Sequence, residues 1–176
     1  KTPLSMMQLE LICITHVHGD HCYGLPGLLA SMAMNGRKHP LTLIAPQAIA
    51  DYLAAVQATT ALMISFDINF IAIENRAQGD SYQPVTLDLT DDHQLQIDVI
   101  ALSHRIPSHA FKFTQRLSKK TLLTQKLTEL NVVDKRLWGK LKYGIDVNLD
   151  DNTLLKSADF VTTTLHKTVL IVAGDN

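Results

Sequence analysis

The alternation of apolar and polar positions changes period along this chain, and each change marks an element. Leu9-Glu10-Leu11-Ile12-Cys13-Ile14 is a short, almost unbroken apolar run, the pattern of a buried strand over residues 9–15. Leu25, Leu28, Leu29 and Met32 then recur at helical spacing. Pro26 suits the first turn of that helix, where its missing N–H is not needed, and Asn35-Gly36 closes it. Leu41-Thr42-Leu43-Ile44-Ala45 is a second strand, and Pro46 opens a helix through about residue 56. This is a β-α-β-α rhythm. Between residues 62 and 101 the period shortens to strands over 69–73, 85–89 and 94–101, separated by turn-rich stretches such as Gln78-Gly79-Asp80-Ser81. Beyond them the pattern predicts a short strand over 110–114, helices over 119–130 and 135–143, and a turn at Asp150-Asp151-Asn152. The last element is a buried strand over 168–173.

Composition adds little to the fold but narrows the chemistry. A chain of 176 residues, 46% of them hydrophobic, suits one domain with its own core. No apolar run approaches membrane-spanning length, so a soluble protein without a membrane partner is expected. The start, Lys1-Thr2-Pro3-Leu4-Ser5, lacks the ordered regions of a signal peptide, and without an initiating Met the true N-terminus is expected upstream. Two cysteines, Cys13 and Cys22, do not make a disulfide framework; a reducing cytoplasm fits. Cys13 reads as a buried thiol, and Cys22 as a packing residue or a metal contact.

Charge changes the picture more. The chain carries −1 overall, but residues 105–142 hold ten basic and two acidic side chains, a local +8 against −9 elsewhere. Such a block suggests an anionic partner, although from the charges alone a solvated face on amphipathic helices is the better reading.

The candidate chemistry lies at the end of the first strand, in Thr15-His16-Val17-His18-Gly19-Asp20-His21. A lone histidine is usually an ordinary core or surface residue. Three histidines and a carboxylate within six residues are not what a core asks for, and both groups are ligands for borderline cations such as Zn²⁺. Alternate side chains of extended chain point the same way, so His16 and His18 can grip one cation. A turn at Gly19 would re-aim Asp20 and His21 at a second. His104 ends the strand over 94–101 as His16 ends the first, either as a ligand or as a structural histidine; His109 is a weaker candidate. Asp175 follows the last strand and a glycine, where a carboxylate can serve two cations with one oxygen each.

His16-x-His18-x-Asp20-His21 resembles the metal motif of the metallo-β-lactamase superfamily. Four further stretches are similar to one family within it, ribonuclease Z, the endonucleases that mature the 3′ end of transfer RNA. They are Gly24-Leu25-Pro26-Gly27-Leu28-Leu29, His104-Arg105-Ile106-Pro107-Ser108, Leu137-Trp138-Gly139-Lys140-Leu141-Lys142-Tyr143-Gly144 and Gly174-Asp175. The chain departs from that family at Ser108-His109-Ala110-Phe111, at Asn131-Val132-Val133-Asp134 and at Asn176. The resemblance implies an α/β fold, an αββα sandwich of mixed sheets flanked by helices and incomplete at both ends. Residues 1–176 would form one partial metallo-hydrolase domain containing a basic helical segment over 105–142.

It also implies two zinc ions. His16, His18 and His104 would hold one, Asp20 and His21 the other, and Asp175 would bridge them, with Asp20 also the catalytic proton acceptor. A further metal-binding His and the catalytic His are implied downstream of Asp175, so residues 1–176 alone are expected to be impaired. The implied reaction is two-metal hydrolysis of a phosphodiester in precursor transfer RNA by a cytoplasmic homodimer. Arg105, Lys112, Arg116, Lys119, Lys120, Lys140 and Lys142 would meet the phosphates. Two other readings stay open: a related hydrolase of small esters, lactones, thioesters or cyclic phosphodiesters, and a degenerate module that binds RNA or a partner without catalysis.

Overall fold

The structure is a computed structural model that describes residues 5–176; Lys1-Thr2-Pro3-Leu4, read above for a signal segment, lies outside the described residues. Strands β1 (Leu11–Cys13), β2 (Leu41–Ala45) and β3 (Ile68–Ala72) form a parallel sheet in the order β1-β2-β3, with Leu11 opposite Thr42 and Leu41 opposite Ile68. Parallel neighbours need long crossovers. These are the four-residue helix α1 (Gly19–Cys22) with α2 (Leu25–Met34), then α3 (Gln47–Thr60). The apolar stripes of α2 and α3 close over β2: Leu29, Met32, Leu41, Leu43 and Ile49 are all at most 1% exposed. Residues 9–15 are not the buried strand their apolar run predicts. The strand is limited to β1 and is half-buried, because β1 is the edge of its sheet and has one neighbour.

A buried arginine fixes how the chain enters β1. Arg37 is 2% exposed, and its guanidinium donates to the carbonyls of Met7 (3.0 Å), Leu9 (2.7 Å), His39 (2.8 Å) and Pro40 (2.7 Å). It also lies 5.3 Å from the centre of the Phe66 ring. A buried charge survives only with such partners. Here it staples the approach to β1 against the approach to β2.

After β3 come two small antiparallel pairs and a second sheet. β4 (Ala77–Gln78) and β5 (Ser81–Tyr82) form a hairpin whose turn needs Gly79 at φ +58°. β6 (Val85–Thr90), β7 (His93–Leu102), β8 (Ser108–Leu122) and β11 (Val161–Ala173) form a four-stranded sheet in the order β11-β8-β7-β6. Between β8 and β11 lie α4 (Thr124–Glu129), α5 (Lys135–Lys142), the antiparallel pair β9 (Val147–Asn148) and β10 (Leu154–Leu155), and α6 (Ser157–Phe160).

The chain forms two compact units. One takes the residues up to Thr86, Gln96–Phe113 and Leu170–Asn176; the other takes Leu87–Leu95 and Thr114–Val169. The second unit has its own core of Leu127, Val132, Leu141, Val147, Leu155 and Phe160. Helix α5 shows why: Leu141 is fully buried, while Lys135, Arg136, Lys140 and Lys142 on the same helix are exposed.

Two expectations are corrected here. Residues 119–130 are not one helix: β8 runs on through Leu122, and only α4 is helical. β8 neighbours β11 in the sheet, and such pairing overrides helix propensity at its far end. The basic segment 105–142, read as helical, is therefore strand over much of its length. Residues 168–173 are a strand but not a buried one. β11 is the edge of its sheet, and Leu165, Leu170 and Ile171 are 60%, 59% and 58% exposed.

Candidate metal centre

The centre is assembled where β1, β7 and β11 end and β8 begins. Beyond β1 the chain leaves its sheet with a last backbone bond from Ile14 N–H to the Ile44 carbonyl at 2.9 Å. His16 then turns inward and is completely buried. His18 is still extended (φ −64°, ψ 146°) and precedes the single turn α1, which redirects Asp20 and His21. A β-carbon on Gly19 would meet only the ring of Tyr23, an exposed side chain that can swing away. At the other end, a β-carbon on Gly174 would lie 2.7 Å from Thr15 Cβ and 2.9 Å from Ser108 Oγ. Only glycine lets the Asp175 loop pass so close to the histidine loop. Ser108 Oγ fixes that loop by donating to the Asp175 carbonyl at 2.8 Å.

The ligand atoms of His16, His18, His104 and Asp175 all lie within 4.8 Å of one another. His18 Nδ1 and His104 Nε2 are 3.4 Å apart. Asp175 Oδ2 is 3.7 Å from His16 Nε2 and 4.0 Å from His104 Nε2. Its other oxygen, Oδ1, is 3.4 Å from His21 Nε2, which is in turn 3.6 Å from Asp20 Oδ2. The two oxygens of Asp175 thus face two different groups of donors.

These residues suit a cation on two counts. Two nitrogens on one tetrahedral zinc, each roughly 2.1 Å from it, lie about 3.4 Å apart, which is the His18–His104 spacing. Second, His16 Nε2 is buried without a hydrogen-bond partner. An orphaned buried nitrogen costs roughly 1–3 kcal/mol unless something outside the protein meets it. Burial first, and then the neighbouring His21 charge, lower the pKa of His16 below the ordinary histidine value. That direction favours the neutral ring, the form that can ligate a cation. Thr15 Oγ1 lies 3.0 Å from Nδ1, and the tautomer that donates to it leaves the Nε2 lone pair facing the cluster.

Of the six residues expected at the metals, the structure brings His16, His18, His104 and Asp175 together and sets His21 beside Asp175, while Asp20 lies against its sequence neighbour His21. His109 is not among them; it is buried beneath the histidine loop with Nδ1 2.9 Å from the Thr15 carbonyl. Cys22 is a packing residue whose thiol points at the Val17 carbonyl (3.6 Å). Thr15, Ser108 and Gly174 fall within the stretches quoted from the sequence, but no positioning role is read for them there. Their only signal is that each is small or hydroxylated and sits beside a candidate ligand or at a strand start.

The basic residues are spread more widely. Arg105 is exposed in the loop between β7 and β8. Lys112 is bound to Asp98 at 3.2 Å, and Lys120 lies 3.9 Å from Asp92. Lys119 and Lys120 are exposed on β8, with Arg116 half-buried on the same strand, while Lys140 and Lys142 stand on α5. Lys120 and Lys142 share a cavity of about 450 Å³ with Asp146 and Ser157. Trp138, flanked by basic residues in the sequence, packs inside the second unit: its Nε1 donates to the Val132 carbonyl at 2.8 Å and Lys135 Nζ lies 3.0 Å over its ring.

The architecture is a mixed α/β fold. The human tRNase Z, short form, shares this fold with a TM-score of 0.50 at 24% identity, over 64% of this chain and 47% of that one. Along its whole length the chain is similar to proteins named ribonuclease Z. It is 40% identical to ribonuclease Z of Marinobacter nauticus over 176 residues, all of this chain and 51% of the relative. It is 38% identical to that of Pseudomonas putida (strain GB-1) over 175 residues, 99% of this chain and 51% of the relative. The chain thus spans about half the length of the curated relatives it matches. No family model matches it.

Proposed function

We propose that this chain is part of a zinc-dependent endoribonuclease that cleaves precursor transfer RNA at its 3′ end. The observation that carries the reading is the placing of Asp175, one oxygen toward His16 and His104 and the other toward His21. His16, His18, His104 and Asp175 Oδ2 would hold one ion; Asp20, His21 and Asp175 Oδ1 would hold a second. When bound, two zinc ions would acidify water and offset charge on the phosphoryl oxygens. Asp20, whose side chain is 78% exposed, would accept the proton of the attacking water. Buried His16 orients the site and keeps bulk water from one side of it.

The phosphate backbone would be met by Arg105, Arg116, Lys119, Lys120, Lys140 and Lys142. Lys112, already paired with Asp98, would add less. The relatives named ribonuclease Z support this choice of substrate over a small ester or thioester. The test is cleavage of a 3′-extended precursor transfer RNA by the full-length protein with zinc, together with metal analysis. A product ending in a 3′ hydroxyl and two zinc ions per chain is expected. No cleavage, alongside turnover of a thioester or lactone, would overturn the reading in favour of a related hydrolase. Absence of any bound metal would point instead to a degenerate binding module. The same reading includes a cytoplasmic homodimer, checked for its oligomeric state by light scattering of the full-length protein.

A further inference from the structure

We infer that His109 is a positioning residue for this centre: it holds the His16 loop and the Asp175 loop against each other and ties both to Tyr82. The inference rests on reading the centre as a metal site. His109 is 4% exposed and stands at the start of β8. Its polar groups all engage the surrounding loops. The backbone N–H and the ring Nδ1 both meet the Thr15 carbonyl, at 3.1 and 2.9 Å. Its own carbonyl accepts the Gly174 N–H at 3.1 Å.

Thr15 immediately precedes His16, and Gly174 immediately precedes Asp175. One residue thus fixes the backbone beside a candidate ligand in each loop. Thr15 adds a further link, since its hydroxyl meets His16 Nδ1 at 3.0 Å.

The ring chemistry fixes the far side. A carbonyl can only accept, so Nδ1 carries the proton, and Nε2 is left as an acceptor. The Tyr82 hydroxyl lies 3.4 Å from Nε2, with the two rings edge to face. Tyr82 is itself held on β5, because the next residue, Gln83, donates its N–H to the Arg76 carbonyl at 2.7 Å and accepts from Arg76 Nε at 3.2 Å. A phenylalanine would fill the space of His109 and keep its backbone bonds. It would lose both ring bonds and leave the Tyr82 hydroxyl without its acceptor.

Partners that orient metal ligands typically account for about 10–100-fold in metal affinity or activity. The experiment uses the full-length protein and three variants, His109→Phe, His109→Asn and Tyr82→Phe. It reads zinc affinity by chelator competition, the visible spectrum of the cobalt-substituted protein, and the melting temperature. His109→Phe should bind zinc about 10-fold more weakly and alter the cobalt spectrum. His109→Asn, which keeps an N–H at the Nδ1 position, should recover most of the affinity, and Tyr82→Phe should lose only a few-fold. Wild-type zinc affinity and spectrum in His109→Phe would overturn the inference, whatever its melting temperature. So would an equal loss in His109→Asn. If His109→Phe does not fold, unchanged affinity in Tyr82→Phe together with a full loss in His109→Asn decides against it. A wild-type protein that binds no zinc at all would overturn the reading of the centre itself, a result distinct from any of these.

Discussion

The two units use polar side chains in opposite ways. In the first, the groups of interest are fixed by their surroundings. His16 is wholly buried, Asp175 follows a glycine wedged against Thr15, and Ser108 and His109 pin both loops through backbone atoms. In the second, Lys119, Lys120, Lys140 and Lys142 stand in solvent around a small apolar core, and ion pairs such as Lys120–Asp92 are long and exposed. Exposed pairs of this kind contribute little to stability. The difference fits the two tasks proposed for them. Holding a cation requires donor atoms at set distances in a preorganised, partly dry site. Attracting a polyanion requires only charge of the right sign over an area.

The comparison can be broken at its core first. Leu141 is fully buried in the second unit, so Leu141→Ala should cost about 3 kcal/mol in denaturant unfolding. Zinc content of the full-length protein should be unchanged at temperatures where it stays folded. A loss of zinc in that variant would show that the units do not divide the work as described.

Gly174→Ala comes next. Its β-carbon would meet Thr15 and Ser108 well inside van der Waals distance, so the Asp175 loop must move. Misplacement by about 1 Å can cost roughly 100-fold, and a loss of that order is expected in cleavage of precursor transfer RNA. Undiminished cleavage would mean the close approach of the loops is not needed.

A smaller effect is expected on the second unit's surface. Lys140→Ala with Lys142→Ala should weaken RNA binding and reduce the slope of log affinity against log salt by about 2, one for each phosphate contact removed. Zinc content should not change. An unaltered salt slope would show that these lysines are merely a solvated helix face.

The smallest effect concerns Cys13, half-buried on β1. Burial pushes the Cys13 thiol up to about 12 from the ordinary cysteine value. A raised thiol pKa means that the reactive thiolate is scarce at every pH below that value. Cys13 should therefore resist iodoacetamide at pH ~8 in the folded protein and react on unfolding, as read by mass spectrometry. Rapid labelling of the folded protein would show that the site is wetter than its packing implies.

Much of the first unit is legible in the residues themselves. Leu25, Leu29 and Met32 mark α2 by their spacing, and residues 41–45 coincide with β2, because both patterns are local: α2 buries one apolar stripe and β2 buries both faces. His16-x-His18-x-Asp20-His21 is legible for the same reason: four donors within six residues have little freedom to be elsewhere. Residues 119–122 are the contrary case. Nothing within that segment says strand; its neighbour β11 does. The exposure of Leu165, Leu170 and Ile171 is equally invisible from their apolar sequence, since it depends on which strand ends the sheet.

By itself, then, the sequence determined the donor types, the local turn that carries them, the helices with a clean apolar stripe and the excess of positive charge. Only the tertiary structure decided that His104 meets His18 across 86 residues, that Ser108 holds the Asp175 carbonyl across 67, and that His109 reaches Thr15 across 94. Periodicity and propensity act over a few residues. Closing such long loops depends on the packing of whole sheets, and neither the pairing of β8 nor the closeness of Gly174 to Thr15 is written in any one segment.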